Sequence, residues 1–166
     1  VLCCSAASAV EPHRGWPLPG AAEGGGHFSE ANQITPANVR NLKVAWTHRS
    51  GDFREGDNFI GGLSGEAPLQ SSWQATPILV EDHLYLCTPF NRILAIHAET
   101  GAERWSYSPD IDLESFPMPR CRGVTQWTDE RVPPTKPCHR VVIAPLMDAR
   151  VVGLDVTTGQ TCPFGE

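Results

Sequence analysis

The stretch Asn91-Arg92-Ile93-Leu94-Ala95-Ile96-His97-Ala98-Glu99-Thr100-Gly101 returns 58 residues later as Ala149-Arg150-Val151-Val152-Gly153-Leu154-Asp155-Val156-Thr157-Thr158-Gly159. The arginine and the Thr-Gly pair are identical, and the aliphatic positions are kept. Each copy reads as a short strand closed by a tight turn. Around the first copy the pattern is regular. Residues 75–80, 83–88, 92–97 and 102–106 are strand candidates, and Glu81-Asp82 and Glu99-Thr100-Gly101 are turns between them. Four short strands joined by tight turns predict an antiparallel meander. Upstream of the second copy, Val142-Ile143 matches Leu84-Tyr85. A third, partial copy survives as Val44-Ala45-Trp46-Thr47, which resembles Glu103-Arg104-Trp105-Ser106.

Four-stranded repeats at about 40–50 residues are the mark of propeller blades. The offset of 58 is longer, and the Pro-rich stretch 107–139 is expected to hold the excess as an inserted loop. A single blade cannot bury both faces of its sheet, so blades stack around an axis, about four to eight in a ring. The chain's 166 residues hold about two four-stranded antiparallel blades and one strand of a third. The expected fold is therefore all-β, an incomplete β-propeller.

Composition agrees. Fifteen glycines and fifteen prolines favour turns over long helices, and the hydrophobic share of 40% suffices for a core. The net charge of −6, with no Lys/Arg cluster, argues against nucleic acid as a partner. No apolar run approaches the length of about 20 residues that a membrane-spanning helix needs. Six cysteines, at 3, 4, 87, 121, 138 and 162, form no C-x-x-C pair, and the six histidines show no metal-binding spacing, so a zinc site is disfavoured. Scattered cysteines in a turn-rich chain fit an oxidising compartment, with buried free thiols as the alternative. Residues 1–10, VLCCSAASAV, are expected to be the remnant of a signal peptide, with Ala7-Ser8-Ala9 as an A-x-A cleavage site. Residues 11–33, with Gly24-Gly25-Gly26, are expected to be a flexible lead-in, and residues 34–166 the propeller part. In residues 34–39, Thr35 as cap and Pro36 at the first helical position predict a brief helix. Leu42-Lys43-Val44-Ala45-Trp46-Thr47 alternates and predicts a half-buried strand. A long glycine-rich loop follows at 50–72. Its Asp52, Asp57 and Asn58 match no recognised calcium-loop spacing, and a solvated loop is the preferred reading.

The motif Ala95-Ile96-His97-Ala98-Glu99-Thr100-Gly101-Ala102-Glu103-Arg104-Trp105 resembles the A-x-D-x-x-T-G-x-x-x-W repeat of quinoprotein propellers, with His97 where Asp is usual. The second copy has Asp155 but Pro163 in place of the tryptophan. Residues 33–39, 42–46, 49–52, 84–89 and Cys121-Arg122-Gly123-Val124 together are similar to the membrane-type PQQ-dependent glucose, quinate and polyol dehydrogenases. The resemblance implies an eight-bladed propeller holding pyrroloquinoline quinone and calcium, which oxidises a sugar, polyol, cyclitol or alcohol and passes electrons to a respiratory quinone or another acceptor. It implies a periplasmic protein, with attachment to the inner membrane possible.

Carried over residue by residue, the resemblance places Arg122 near the cofactor, where a guanidinium suits the carboxylates of the quinone. Gly123 beside it would allow close backbone approach. Gln74 stands where the family often has a Glu contacting the quinone; an amide still donates and accepts but brings no charge. Met118 falls four positions after Glu114, where glucose-oxidising members carry a His, which turns the expectation from glucose toward another polyol, cyclitol or alcohol. Cys138 and Cys162 match paired cysteines of the family, whereas Cys87 and Cys121 are a second pair or buried thiols. Trp46 and Trp105 are expected to dock against neighbouring blades. The catalytic carboxylate and the calcium ligands are expected from a part beyond these residues. The rival class is a non-enzymatic propeller with the same repeats, such as an outer-membrane assembly scaffold, which needs neither Arg122 nor a quinone pocket.

Overall fold

Pro77 breaks the first long apolar stretch in two, because it has no N–H to give a ladder. In the computed structural model, which describes residues 15–16, 18–20, 27, 31–53, 71–116 and 118–163, the halves join different sheets. They are β2 (Ser72–Thr76) and β3 (Ile78–Val80). With β1 (Gly15–Trp16), β4 (His83–Cys87), β5 (Ile93–His97) and β6 (Glu103–Tyr107), β3 forms an antiparallel sheet of order β1-β3-β4-β5-β6. The predicted meander is therefore present, with a fifth strand on its edge. That strand, β1, lies within the expected lead-in, and its Trp16 indole donates to the Pro77 carbonyl (2.8 Å).

The second sheet has the order β11-β10-β9-β8, from β8 (Thr125–Thr128), β9 (Arg140–Pro145), β10 (Val151–Asp155) and β11 (Thr161–Cys162). Its β9–β10 hairpin is the second copy of the repeat. The expected insert at 107–139 is thus only partly loop: it also contains β7 (Arg120–Gly123) and β8. The sequence Thr125-Gln126-Trp127-Thr128 carries too few apolar residues to announce a strand, and it is paired because β9 offers it an open edge. The strand β7 pairs in parallel with β2, as a two-stranded ribbon joining the sheets.

The core lies between the sheets. Ile78, Tyr85, Ile93 and Ala95 on one side meet Val124, Val142, Ala144, Leu154 and Val156 on the other. The repeat explains the stacking bonds. The Trp105 indole donates to the Val156 carbonyl (3.0 Å), and the Trp46 indole donates to the Ala98 carbonyl (2.9 Å), its repeat equivalent. Tyr85 Oη donates to the same Val156 carbonyl (3.1 Å), and burial pushes its phenol up to about 12. Each docking turn ends in glycine because the space is taken. Gly101 (φ +73°) and Gly159 (φ +70°) would each bring a Cβ to 2.6 Å from the Cδ2 of Trp46 or Trp105.

His97 replaces the usual Asp by performing the same task. Asp155 Oδ1 accepts from the N–H groups of Thr157 (3.1 Å) and Thr158 (2.8 Å). His97 Nδ1 accepts from Glu99 and Thr100 (3.3 Å each), the equivalent pair. A neutral imidazole with its proton on Nε2 supplies that acceptor, and Nε2 lies 3.6 Å from Asp82 Oδ2.

Two expectations are corrected. The brief helix at 34–39 is a single 3-10 turn at Val39–Asn41; Thr35 caps nothing with its side chain, and its own N–H donates to Asn38 Oδ1 (2.7 Å). The segment 42–47 is not in a ladder: no strand lies beside it among the described residues, Val44 is 83% exposed, and only Trp46 packs. Residues 1–10, Gly24-Gly25-Gly26, Asp57 and Asn58 lie outside the described residues.

Candidate functional site

The ribbon β2–β7 brings the cofactor candidates together. Its register pairs Ser72 with Arg120, Trp73 with Cys121 and Thr76 with Gly123, with an irregularity between the last two pairs. Gln74 and Arg122 therefore sit at neighbouring positions of adjacent parallel strands. In a strand, alternate side chains face opposite sides. Along β7 this puts Arg120 and Arg122 outward and Cys121 inward, in agreement with their burial.

Arg122 is exposed, and its guanidinium makes no hydrogen bond or ion pair with any described residue. Arg92 instead holds Asp52 (2.8 Å) and the Ser50 carbonyl (2.6 Å), and Arg150 holds Asp148 and the Asp110 carbonyl (2.7 Å), whereas Arg104 and Arg120, like Arg122, make no side-chain hydrogen bond or ion pair with any described residue. Its partner strand offers Gln74, whose Nε2 donates to Ser72 Oγ (3.2 Å). A guanidinium and, on the adjacent strand, a carboxamide are donors suited to carboxylates. Gly123 has φ +152°, and an added Cβ would meet nothing closer than Pro19 Cγ at 3.7 Å. On the protein side, glycine is thus required by backbone conformation rather than by lack of space.

Of the two disulfides among the described residues, one lies at this ribbon. Cys138 is bonded to Cys162, the pair that the resemblance implied. Cys87 is bonded to Cys121, so the open choice between a second pair and free thiols falls to the pair. The second bond joins the end of β4 to β7, next to Arg122.

A cavity of about 360 Å³ opens beside the arginine, lined among others by Asn91, Phe116, Met118, Arg122 and Met147. Met118 is half exposed at this cavity. Glu114 lies in a 3-10 turn, Leu113–Ser115, whose first N–H groups are held by Asp112. The bond to Ser115 draws the Asp112 carboxyl below its usual range, helped by the Glu114 N–H. Asn91 is a residue that sequence reasoning passed over. Its repeat partner, Ala149, differs from it, and that difference was the available signal. Among the described residues no cluster of three or more His, Cys, Asp or Glu is arranged to hold a metal ion. Asp52, named with the calcium-like loop, has its carboxylate on Arg92.

Comparison with known proteins gives a consistent result. Residues 16–166 match the family model described as glucose/ethanol/alcohol dehydrogenase, β-propeller domain, of the PQQ type. The chain is 35% identical over 164 residues to the quinoprotein glucose dehydrogenase of Escherichia coli, covering 94% of this chain and 19% of that protein. It is 34% identical to the glycerol dehydrogenase large subunit of Gluconobacter thailandicus, covering 94% and 20%. The crystal structure of the quinohemoprotein alcohol dehydrogenase from Comamonas testosteroni superposes with a TM-score of 0.67 at 25% identity, over 90% of this chain and 19% of that one. The chain thus spans about a fifth of the length of these relatives.

Proposed function

Because the chain belongs to the PQQ glucose/ethanol/alcohol dehydrogenase β-propeller family, we propose that it is part of a quinoprotein dehydrogenase whose cofactor rests in part on Arg122 and Gln74. The protein would oxidise a sugar, polyol, cyclitol or alcohol in the periplasm, with attachment to the inner membrane possible, and deliver the electrons to a respiratory quinone or another acceptor. The glucose and glycerol dehydrogenases to which the chain is similar support this substrate range.

The observation that carries the reading is the free, exposed guanidinium of Arg122 on β7, paired in parallel with the strand that bears Gln74. Pyrroloquinoline quinone, when bound, accepts the two electrons of the oxidation. Arg122 would hold a carboxylate of it through paired N–H donors, and Gln74 would orient it through one further bond. Calcium, acting as a Lewis acid, would come with ligands from other parts of the protein. Met118, with a thioether in place of an imidazole, can neither shuttle a proton nor donate a hydrogen bond, which favours substrates other than glucose.

The test is quinone binding to the full-length gene product with calcium present. Loss of a charge-assisted bond costs roughly 1.5–3 kcal/mol, so Arg122→Gln should weaken binding about ten- to hundredfold. Unchanged affinity in Arg122→Gln would remove this arginine from the site. No quinone-dependent dye reduction with sugars, polyols or quinate would count against the function itself.

A further inference from the structure

Asn91 is 1% exposed and has φ +63° in the turn between β4 and β5. Its side chain reaches out of that turn to two other chain segments. Oδ1 accepts from the Met147 N–H (2.7 Å), and Nδ2 donates to the Arg120 carbonyl (3.2 Å) and to Pro89 (3.4 Å). One buried amide therefore joins the β4–β5 turn of the first sheet, the β9–β10 turn of the second, and the first residue of β7. Arg120 is also held through its N–H, which donates to Met147 Sδ (3.4 Å).

The repeat shows that this amide is not needed to make the turn. Ala149 occupies the equivalent position with φ +66°, and its turn closes through the same bonds. Thr88 N–H donates to Arg92 and Asn91 N–H to Thr88 (2.8 and 2.9 Å); Leu146 N–H donates to Arg150 and Ala149 N–H to Leu146 (2.8 and 3.2 Å). What Asn91 adds is a bond to the Met147 N–H of the other turn and a bond to β7, two residues before Arg122. The disulfide at Cys121 fixes the same strand from its inner side. Arg122 thus follows two anchored positions, one held by a buried amide and one held covalently, while its own side chain stays free.

We propose that Asn91 is a positioning residue of the cofactor site: it fixes the start of β7 and so sets the backbone from which Arg122 reaches its ligand. This rests on the reading of Arg122 as a cofactor contact. A loose β7 backbone would have to be ordered when the ligand binds, at a cost in affinity; an anchored one leaves only the side chain to be ordered.

The experiment is a double-substitution cycle on the full-length protein, with dissociation constants for pyrroloquinoline quinone measured by titration in the presence of calcium. Asn91→Gly removes the amide and suits the positive φ. It should raise Kd about tenfold in the natural background and less than twofold when Arg122→Gln is already present. Backbone hydrogen exchange of residues 121–123, measured without quinone, should speed up in Asn91→Gly. If Asn91→Gly does not fold, Asn91→Asp, which keeps the acceptor for Met147 and loses the donor to Arg120, takes its place in the cycle. An unchanged Kd, or an equal rise in both backgrounds, overturns the inference while leaving the function intact. Failure of the unsubstituted protein to bind quinone overturns both, and is recognised because it needs no substitution.

Discussion

Replacing Gly159 by alanine should unlock the docking of the first sheet on the second. The new Cβ would stand 2.6 Å from Trp105 Cδ2 and 2.7 Å from Cε3, so the indole has to move. The left-handed backbone at φ +70° adds about 1–2 kcal/mol for a residue with a Cβ. Displacing the indole removes its bond to the Val156 carbonyl, worth about 1 kcal/mol. It also weakens the contact with Tyr85, whose ring centroid lies 5.7 Å away, at about 0.5–1 kcal/mol. The total is about 3 kcal/mol, or about a hundredfold in an opening equilibrium. Native-state hydrogen exchange reads this locally, whatever the size of the protein. The amides to follow are Asp155, bonded to the Gln160 carbonyl, and Val156, bonded to the Arg140 carbonyl. Gly159→Ala should lower their protection about a hundredfold, but only about tenfold when Trp105→Ala has already emptied the space, because backbone strain alone then remains. Protection that falls less than threefold, or falls equally in both backgrounds, would refute the steric argument.

Three further outcomes are expected. Cys138→Ser with Cys162→Ser opens a loop with a sequence separation of 24 and should cost about 3 kcal/mol in unfolding experiments, and reductant should add nothing further at that site. Burial works against the Asp155 carboxylate, but the N–H of Cys138, the hydroxyl and N–H of Thr158 and the N–H of Thr157 outweigh it and hold its pKa below the ordinary 3.8. A lowered folded pKa gives stability that is complete above the unfolded value and is lost as pH falls through the folded one; acid unfolding curves of Asp155→Asn should therefore lose part of their slope below pH about 4, with no change in slope above it. His97→Asp restores the usual acceptor but sets a carboxylate against Asp82, whose own pKa is lowered chiefly by its bond to His83. It should lower the melting temperature, and adding Asp82→Asn should reverse the loss.

Much of the fold is written in the repeat, because alternation and Thr-Gly turns are local signals. The meander at 75–106 and the second hairpin follow from them. What is not local is harder to read. Pro77 divides one apolar run between two sheets, and only the presence of β7 makes β2 a strand. The segment Thr125–Thr128 is a strand because of its neighbour, not its composition. Residues 42–47 alternate well and still find no ladder among the described residues. At the site, Arg122 and Gln74 could be named from motif position, but their placement on adjacent strands depends on the parallel pairing of residues 47 or 48 positions apart. Asn91 was hidden for a different reason. An asparagine before a strand reads as a turn residue tolerant of positive φ, and its longer reach appears only when the two turns are brought together.

The atom that receives the Trp105 indole and the Tyr85 hydroxyl belongs to the main chain of Val156, and its counterpart under Trp46 to the main chain of Ala98. A junction whose acceptor is a backbone carbonyl places no demand on the side chain that bears it. Duplicated blades can then diverge at that residue, as valine and alanine already have, without losing the grip of one sheet on the next. The spacing of one sheet from the next is inherited through peptide groups, which mutation cannot remove, and side chains elsewhere are left free to diverge.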